Sequence, residues 1–168
     1  GYNVSLWVRD SEQALRINSE GANTTYHPEL KLSKNIIASD NLKEVLNNIS
    51  IIFIATPSIV FEQIVMRVSD HIDEKPYLVS CTKGILDDPF RPLSEIISSK
   101  LKNTIGVLSG PNLAKEIADE KIAGTVIASP DESLINIVKS VLSSETFKIY
   151  SSNCLLYTSP SPRDVLRS

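Results

Sequence analysis

Short apolar runs alternate with helical patterns along most of this chain, and polar joints of a few residues connect them. Residues 51–55 (IIFIA) are apolar without polar alternation, which is typical of a strand covered on both faces, so we place this strand at the centre of a sheet. Further along, Leu93, Ile96, Ile97 and Leu101 recur with the spacing of one helix face. Repeated strand–helix units with short joints imply right-handed crossovers. The sequence therefore predicts an α/β fold with a mostly parallel sheet.

The remaining elements follow from the same patterns. Residues 20–34 contain Gly, Asn, Thr and Pro without a period and are predicted to form a loop. Strands are predicted at residues 3–8, 36–38, 51–55, 77–81, 105–108, 124–128 and 147–150, with helices between most of them. Helix caps are predicted at residues 9–11, at Asp40, at Thr56 followed by Pro57, and in a capping box at residues 129–132 with Pro130 as first helical residue.

The stretch at residues 108–116 (LSGPNLAKE) joins a strand to a helix through a small polar turn. Gly110 relaxes the backbone, and Pro111 fits the first helical turn, where its missing N–H is no loss. Leu113, Ala114 and Ile117 then fall on one helical face. Such a helix start exposes N–H groups and a partial positive charge, which hold phosphate or carboxylate. The alternative is a well-capped helix that binds nothing.

Four polar joints follow predicted strands. They contain Arg9, residues 56–58, Lys83 and residues 110–112. In mostly parallel sheets, ligands bind beyond the carboxyl ends of the strands. A ligand site shared by these four joints is therefore more plausible than one built from any single joint.

Composition narrows the class of protein. The chain has 168 residues, 42% of them hydrophobic, which is enough for the core of one domain. Its 17 basic and 20 acidic residues form no basic block, so we expect neither a nucleic acid nor a membrane as main partner. Cys81 and Cys154 are far apart, which argues against a disulfide framework or a zinc site and favours a reducing compartment, cytosolic or within an organelle.

Several motifs together resemble the N-terminal domain of the NAD(P)-dependent glycerol-3-phosphate dehydrogenases. In order along the chain they are LWVRD (6–10), ATPS (55–58), TKGI (82–85), LSE (93–95), LSGPNLAKE (108–116) and FKIYS (147–151). The likeness covers about residues 1–153. It implies a Rossmann-like, mostly parallel sheet with helices on both faces. It also implies an oxidoreductase that interconverts dihydroxyacetone phosphate and sn-glycerol 3-phosphate with NAD(P)H, in the synthesis of glycerolipid precursors.

The resemblance also implies roles for particular residues. Arg9 matches a residue at the adenosine end of the cofactor, where a guanidinium suits a 2′-phosphate or stacks on adenine, so NADP is favoured without excluding NAD. Lys83 matches a lysine shared by cofactor and substrate, whose ammonium stabilises developing charge on the substrate oxygen. Gly110 and Asn112 match substrate-contacting positions, although many relatives carry Ser or Thr at the latter. Ala114 matches a cofactor-contacting position.

Each assignment has a simpler alternative. Arg9 is also compatible with a solvated surface cation, and Lys83 with a charge at a strand end. Tyr26 lies near a position that approaches the cofactor in the family, but a loop tyrosine packing on the domain fits equally. His27 and His71 are isolated, which gives a metal site little support, and Cys81 is most simply a small apolar residue.

The family pattern extends beyond both ends of this chain. The glycine-rich GxGxxG turn that holds the pyrophosphate is expected before Gly1, together with a central strand. Without that strand two neighbours expose unpaired edges, so we expect the isolated chain to be poorly soluble. The proton-transferring lysine is expected in a helical domain after Asn153. The chain is accordingly expected to be an incomplete and inactive fragment, from which no catalytic residue is named.

Residues 154–168 break the family pattern and have no helical period. They are interpreted as non-native, translated read-through, with residues 1–153 as a partial NAD(P)-binding domain. The alternative is a disordered tail with a Ser-Pro phosphorylation site.

Two other functions remain open on the sequence alone: another reductase of the same superfamily, acting on ketopantoate or a 2-hydroxyacid, and a non-catalytic nucleotide-binding module. The expected partner is a small phosphorylated substrate, the expected location the cytoplasm, and the full-length protein is conceivable as a homodimer.

Overall fold

The computed structural model describes residues 1–87, 90–111, 113–153 and 155. Its internal contacts divide the chain into two compact units, residues 1–49 and residues 50 onward. The first unit contains β1 (Val4–Trp7), α1 (Ser11–Glu20), β2 (Ala22–Asn23), β3 (His27–Lys31), β4 (Ile36–Ser39) and α2 (Leu42–Val45).

The first unit is built on two parallel strands, β1 and β4, with α1 packed against them. The Asp10 side chain accepts a hydrogen bond from the amide of Glu12 and so caps α1, and Gly21 ends the helix in the left-handed conformation, at φ 63°. Ala14 and Ile17 of this helix form a buried cluster with Val8 and Ala38. The predicted start of this helix is confirmed.

A side chain of α1 also protects the outer edge of β4. The Asn18 amide group donates to the carbonyl of Ala38 at 2.8 Å, and its oxygen accepts from the Ala38 amide at 2.8 Å. This pair of bonds imitates a neighbouring strand, because it satisfies both backbone groups of Ala38.

Two expectations for the first unit are wrong. Residues 20–34 are not a plain loop, because β2 and β3 pair there as an antiparallel hairpin with an irregular register. The cap of α2 is Asn41, which accepts from the amide of Glu44, and not Asp40. The Asp40 carbonyl accepts a hydrogen bond from the Trp7 indole instead. The helix itself is a single turn.

The second unit carries the larger sheet. Its elements are β5 (Ile51–Ile54), α3 (Ser58–Ser69), β6 (Tyr77–Ser80), β7 (Ile85–Asp87), β8 (Phe90–Pro92), α4 (Leu93–Lys100), β9 (Ile105–Ser109), α5 (Ala114–Ala118), β10 (Ala123–Ala128), α6 (Glu132–Leu142) and β11 (Phe147–Ser152). The strand order is β11-β10-β9-β6-β5, and β7 and β8 form a separate antiparallel pair.

Three of the four strand pairs in this sheet are parallel, which confirms the prediction of a mostly parallel sheet. The exception is β10, which runs antiparallel to β9. A parallel crossover usually contains a full helix, whereas the connection between β9 and β10 contains only the five-residue α5. The chain therefore reverses direction between these two strands.

Helices cover both faces of this sheet. Adjacent residues of a strand point to opposite faces, and Leu78 and Val79 of β6 are both fully buried. Val79 belongs to a cluster with Ile127 and, from α6, Leu134 and Val138. The other helices, α3 and α4, pack on each other and bury Phe61, Val65, Ile96 and Ile97 completely.

The placement of β5 at the centre of a sheet is not what the structure has. β5 ends the strand order, and within the described residues no strand pairs with its second edge. Ile54 is buried, whereas Ile51 and Phe53 are half-buried. An apolar run without alternation predicts that both faces of a strand are covered by other elements. It does not predict that neighbouring strands pair with both of its edges.

Two helix starts in this unit also differ from expectation. Pro57 is the N-cap of α3, so Thr56 is not its cap and Pro57 is not its first helical residue. The α6 helix begins at Glu132 with Asp131 as its cap, which accepts from the amide of Leu134, so Pro130 is not its first helical residue. The hydroxyl of Ser129 donates to the carbonyl of Ile105. Ser129 instead ties the joint before α6 to β9. No helix of the described part of the chain is long and apolar enough to cross a membrane.

Candidate functional site

The carboxyl ends of three neighbouring parallel strands meet at one edge of the five-stranded sheet. β5, β6 and β9 run parallel, with Ile54 beside Ser80 and Ser80 beside Val107. The joint carrying Lys83 follows β6, and the joint carrying Gly110 follows β9. The structure thus brings these two predicted site residues to adjacent positions along one edge, where parallel sheets place their ligands.

The joint with Lys83 is fixed to β5 and to the start of α3. The carbonyl of Ile54 accepts hydrogen bonds from the Cys81 amide at 2.8 Å and from the Thr82 hydroxyl at 3.2 Å. Gly84 has φ 115°, a conformation that side-chain-bearing residues rarely adopt, and β7 directly after it packs against α3. Lys83, between these attachments, is exposed.

The joint with Gly110 packs tightly on the start of β10. A Cβ atom at Gly110 would lie 3.0 Å from the Gly124 carbonyl oxygen and 3.0 Å from the Thr125 Cα. The Thr125 hydroxyl donates to the Ser109 carbonyl at 3.0 Å, which holds the end of β9 against β10. A side chain at position 110 would press on the backbone of β10, so this close approach favours glycine, whose backbone N–H is not screened by a side chain of its own.

The helix after this joint is shorter than predicted. α5 begins at Ala114 with Leu113 as its N-cap, so Pro111 lies before the helix and not in its first turn. Ile117 is 39% exposed and Ala114 is exposed, so the predicted apolar face is not buried within the described residues. The anion site predicted at this helix start gains no support, because five residues build only a weak helix dipole. Asn112, predicted to contact substrate, lies outside the described residues.

Arg9 belongs to the first unit. It is exposed and follows the carboxyl end of β1, directly before Asp10, the cap of α1. Its position after a parallel strand agrees with the sequence pattern. Its contact with the adenosine end of a cofactor stays a prediction.

Two buried hydroxyls lie at the carboxyl ends of β5 and β6: Thr56, which belongs to the predicted joint at residues 56–58, and Ser80, which was not predicted as a site residue. Within the described residues, no hydrogen-bond partner is found for the side-chain oxygens of Thr56 and Ser80, and Ser80 is only 1% exposed. Buried hydroxyls normally have a partner. A small polar residue at the end of an apolar strand is the signal that would have found Ser80.

Cys81 and His71 do not add to the site. Cys81 is half-buried against the cluster around Val79, and burial raises the pKa of its thiol to about 12, so it is protonated and a poor nucleophile at neutral pH. His71 is exposed. Among the described residues, no group of three or more His, Cys, Asp or Glu side chains is arranged to hold a metal ion.

Comparisons with known proteins agree with this architecture. Residues 1–135 match the family described as "NAD-dependent glycerol-3-phosphate dehydrogenase N-terminus". The chain is 45% identical over 151 residues to the glycerol-3-phosphate dehydrogenase [NAD(P)+] of Alcanivorax borkumensis and 38% identical over 151 residues to that of Teredinibacter turnerae. In both comparisons 89% of this chain and 44% of the relative are covered. The chain thus spans under half the length of these relatives.

A solved structure of a glycerol-3-phosphate dehydrogenase has a similar fold. The crystal structure of glycerol-3-phosphate dehydrogenase from Coxiella burnetii superposes with a TM-score of 0.84 at 28% sequence identity, covering 90% of this chain and 46% of that one. The Rossmann-like fold expected from the motifs is therefore confirmed.

Proposed function

Since this chain belongs to the family of NAD-dependent glycerol-3-phosphate dehydrogenase N-terminal domains, we propose that it is the cofactor-binding part of an enzyme that interconverts dihydroxyacetone phosphate and sn-glycerol 3-phosphate. The observation that carries the proposal is the adjacency of the Lys83 and Gly110 joints at the carboxyl ends of β6 and β9. A cation and an unscreened backbone turn at one sheet edge suit a ligand with a carbonyl and a phosphate.

We assign Lys83, Gly110, Asn112 and Ala114 to a nicotinamide dinucleotide and its substrate, as the family resemblance implies. The nicotinamide, when bound, supplies or accepts the hydride at the substrate carbon. Lys83 holds the substrate oxygen, and its ammonium favours the negative charge that develops there during reduction. Gly110 and Asn112 orient the substrate, and Ala114 borders the cofactor.

Arg9 sets the preference for the cofactor. Its guanidinium suits a 2′-phosphate, whereas a carboxylate at the end of this strand would favour a free 2′-hydroxyl. We therefore propose NADP as the preferred cofactor, with NAD as the second. The enzyme acts in the cytoplasm and supplies sn-glycerol 3-phosphate for phospholipid synthesis. A cytoplasmic location is supported by two cysteines too far apart in sequence for a redox or metal motif, and a homodimer is the oligomeric state we propose.

The experiment uses a chimera in which the matched part of this chain replaces the corresponding residues of the Alcanivorax borkumensis relative, an alignment of 151 residues. Reduction of dihydroxyacetone phosphate by NADPH is followed by the loss of reduced-cofactor absorbance. Lys83→Met should lower kcat/KM by about 100-fold or more, as loss of an electrostatic group at a reacting oxygen does. Lys100→Met, at an exposed position of α4, is the matched control and should leave the rate unchanged. An active chimera that does not depend on Lys83 would contradict the proposal.

A further inference from the structure

The carbonyl oxygen of Ile54 receives two hydrogen bonds from the end of β6. The Cys81 amide donates at 2.8 Å and continues the ladder between β5 and β6. The Thr82 hydroxyl donates to the same oxygen at 3.2 Å. This second bond extends the attachment to the residue next to Lys83, beyond the last paired strand residue.

The chain is held again on the other side of Lys83. Gly84 has φ 115°, and β7, which begins at the next residue, packs against α3. The backbone at position 83 is therefore bounded by a side-chain hydrogen bond to β5 before it and a packing contact with α3 after it. The exposed Lys83 side chain starts from a backbone that is fixed at both neighbours.

We propose that Thr82 is a positioning residue: its hydroxyl holds the backbone of Lys83 where the lysine ammonium reaches the substrate oxygen. This inference rests on the proposed function and deepens it, because it concerns how the same site is kept in its productive geometry. Small displacements of a catalytic group lower reaction rates strongly. Loss of the Thr82 hydrogen bond should therefore lower the rate of turnover.

The fold itself depends little on this hydroxyl. If Thr82 loses it, the Ile54 carbonyl still has the Cys81 amide as a donor, so no buried acceptor is left without a partner. A stability effect and a positioning effect are therefore separable. Thr82→Val removes the hydroxyl and keeps the branched shape, while Thr82→Ser keeps the hydroxyl and removes the methyl group.

The test uses the chimera described above. Thr82→Val should lower kcat/KM for dihydroxyacetone phosphate by about 5- to 10-fold, the range set by one hydrogen bond, while Thr82→Ser stays within about twofold. Amide hydrogen exchange at residues 83–84 should quicken in Thr82→Val and not in Thr82→Ser. Thr104→Val, at the opposite edge before β9, is the matched control and should change neither quantity.

A double-mutant cycle separates positioning from a general structural role. In the Lys83→Met background, Thr82→Val should cause no further loss, because its effect passes through the lysine. Equal losses in both backgrounds, or Thr82→Ser as damaging as Thr82→Val, would overturn the inference. Lys83→Met could leave turnover unchanged while Thr82→Val still quickens amide exchange at residues 83–84. That result would contradict the proposed function and would still show that Thr82 restrains the backbone of this turn.

Discussion

Removal of the Asn18 side chain tests whether α1 protects the edge of β4. Asn18→Ala deletes two hydrogen bonds of 2.8 Å and leaves the N–H and C=O of Ala38 without those partners. Ala38 is only 4% exposed, so water replaces the lost bonds poorly.

The expected cost follows from these contacts. Two hydrogen bonds with a net value of about 1–1.5 kcal/mol each give a loss of about 2–3 kcal/mol. Alanine recovers about 0.5 kcal/mol through its higher helix propensity, which leaves a destabilisation of about 2 kcal/mol. Amide exchange at Ala38 should then quicken by about 30-fold, since 1.4 kcal/mol corresponds to a factor of ten.

The assay is urea unfolding at low protein concentration, followed by the fluorescence of Trp7. It is the only tryptophan of the chain and lies in β1 of the same unit. Ser19→Ala is the matched control, because its hydroxyl bonds only to carbonyls of its own helix and its loss should cost under about 0.5 kcal/mol. Equal unfolding midpoints for the two variants would refute the idea that Asn18 substitutes for a neighbouring strand.

Three further predictions concern the second unit. Gly110→Ala should destabilise it by about 1–3 kcal/mol, because the added methyl group meets the backbone of β10 at 3.0 Å; thermal unfolding measures this. Asn103→Ala should cost about 1–3 kcal/mol in urea unfolding, because the 5%-exposed Asn103 amide donates to the carbonyls of Asp73 and Pro76. The third prediction concerns pH. Burial raises the pKa of the Cys81 thiol from 9.0 to about 12, so between these values only the unfolded chain releases the proton. Stability should therefore fall as pH rises above about 9, and Cys81→Ala should weaken this fall in alkaline urea titrations.

Long periodic segments and buried strands were predictable, because one pattern repeats over many residues. In α4 the predicted Leu93, Ile96 and Ile97 are all buried, and α6 and β6 follow their patterns closely. The hairpins β2/β3 and β7/β8 were missed. Their strands have two to five residues and include prolines, so neither alternation nor propensity identifies them.

Helix caps were predicted less well because neighbouring residues compete for the same role. Asp40 and Asn41 are both good caps, and only the second takes the position. The Ser129 hydroxyl donates to the carbonyl of Ile105, 24 residues earlier, and Asp131 caps α6. The Thr82 contact with Ile54 spans 28 residues and has no local signature at all. Contacts of this kind depend on strand order, which the sequence did not reveal.

The reversal of β10 explains why Gly110 is a glycine. Had β10 run parallel to β9, its first residues would lie at the opposite edge and leave open space beyond the end of β9. Because it runs antiparallel, with Ser109 beside Val126, its first residues lie at the edge where β9 ends. Gly124 and Thr125 then lie so close to the turn after β9 that a Cβ atom at position 110 would be 3.0 Å from their backbone. The LSGPN motif thus reflects a constraint from strand direction as well as one from a ligand, and Gly110→Ala tests the first in the absence of any substrate.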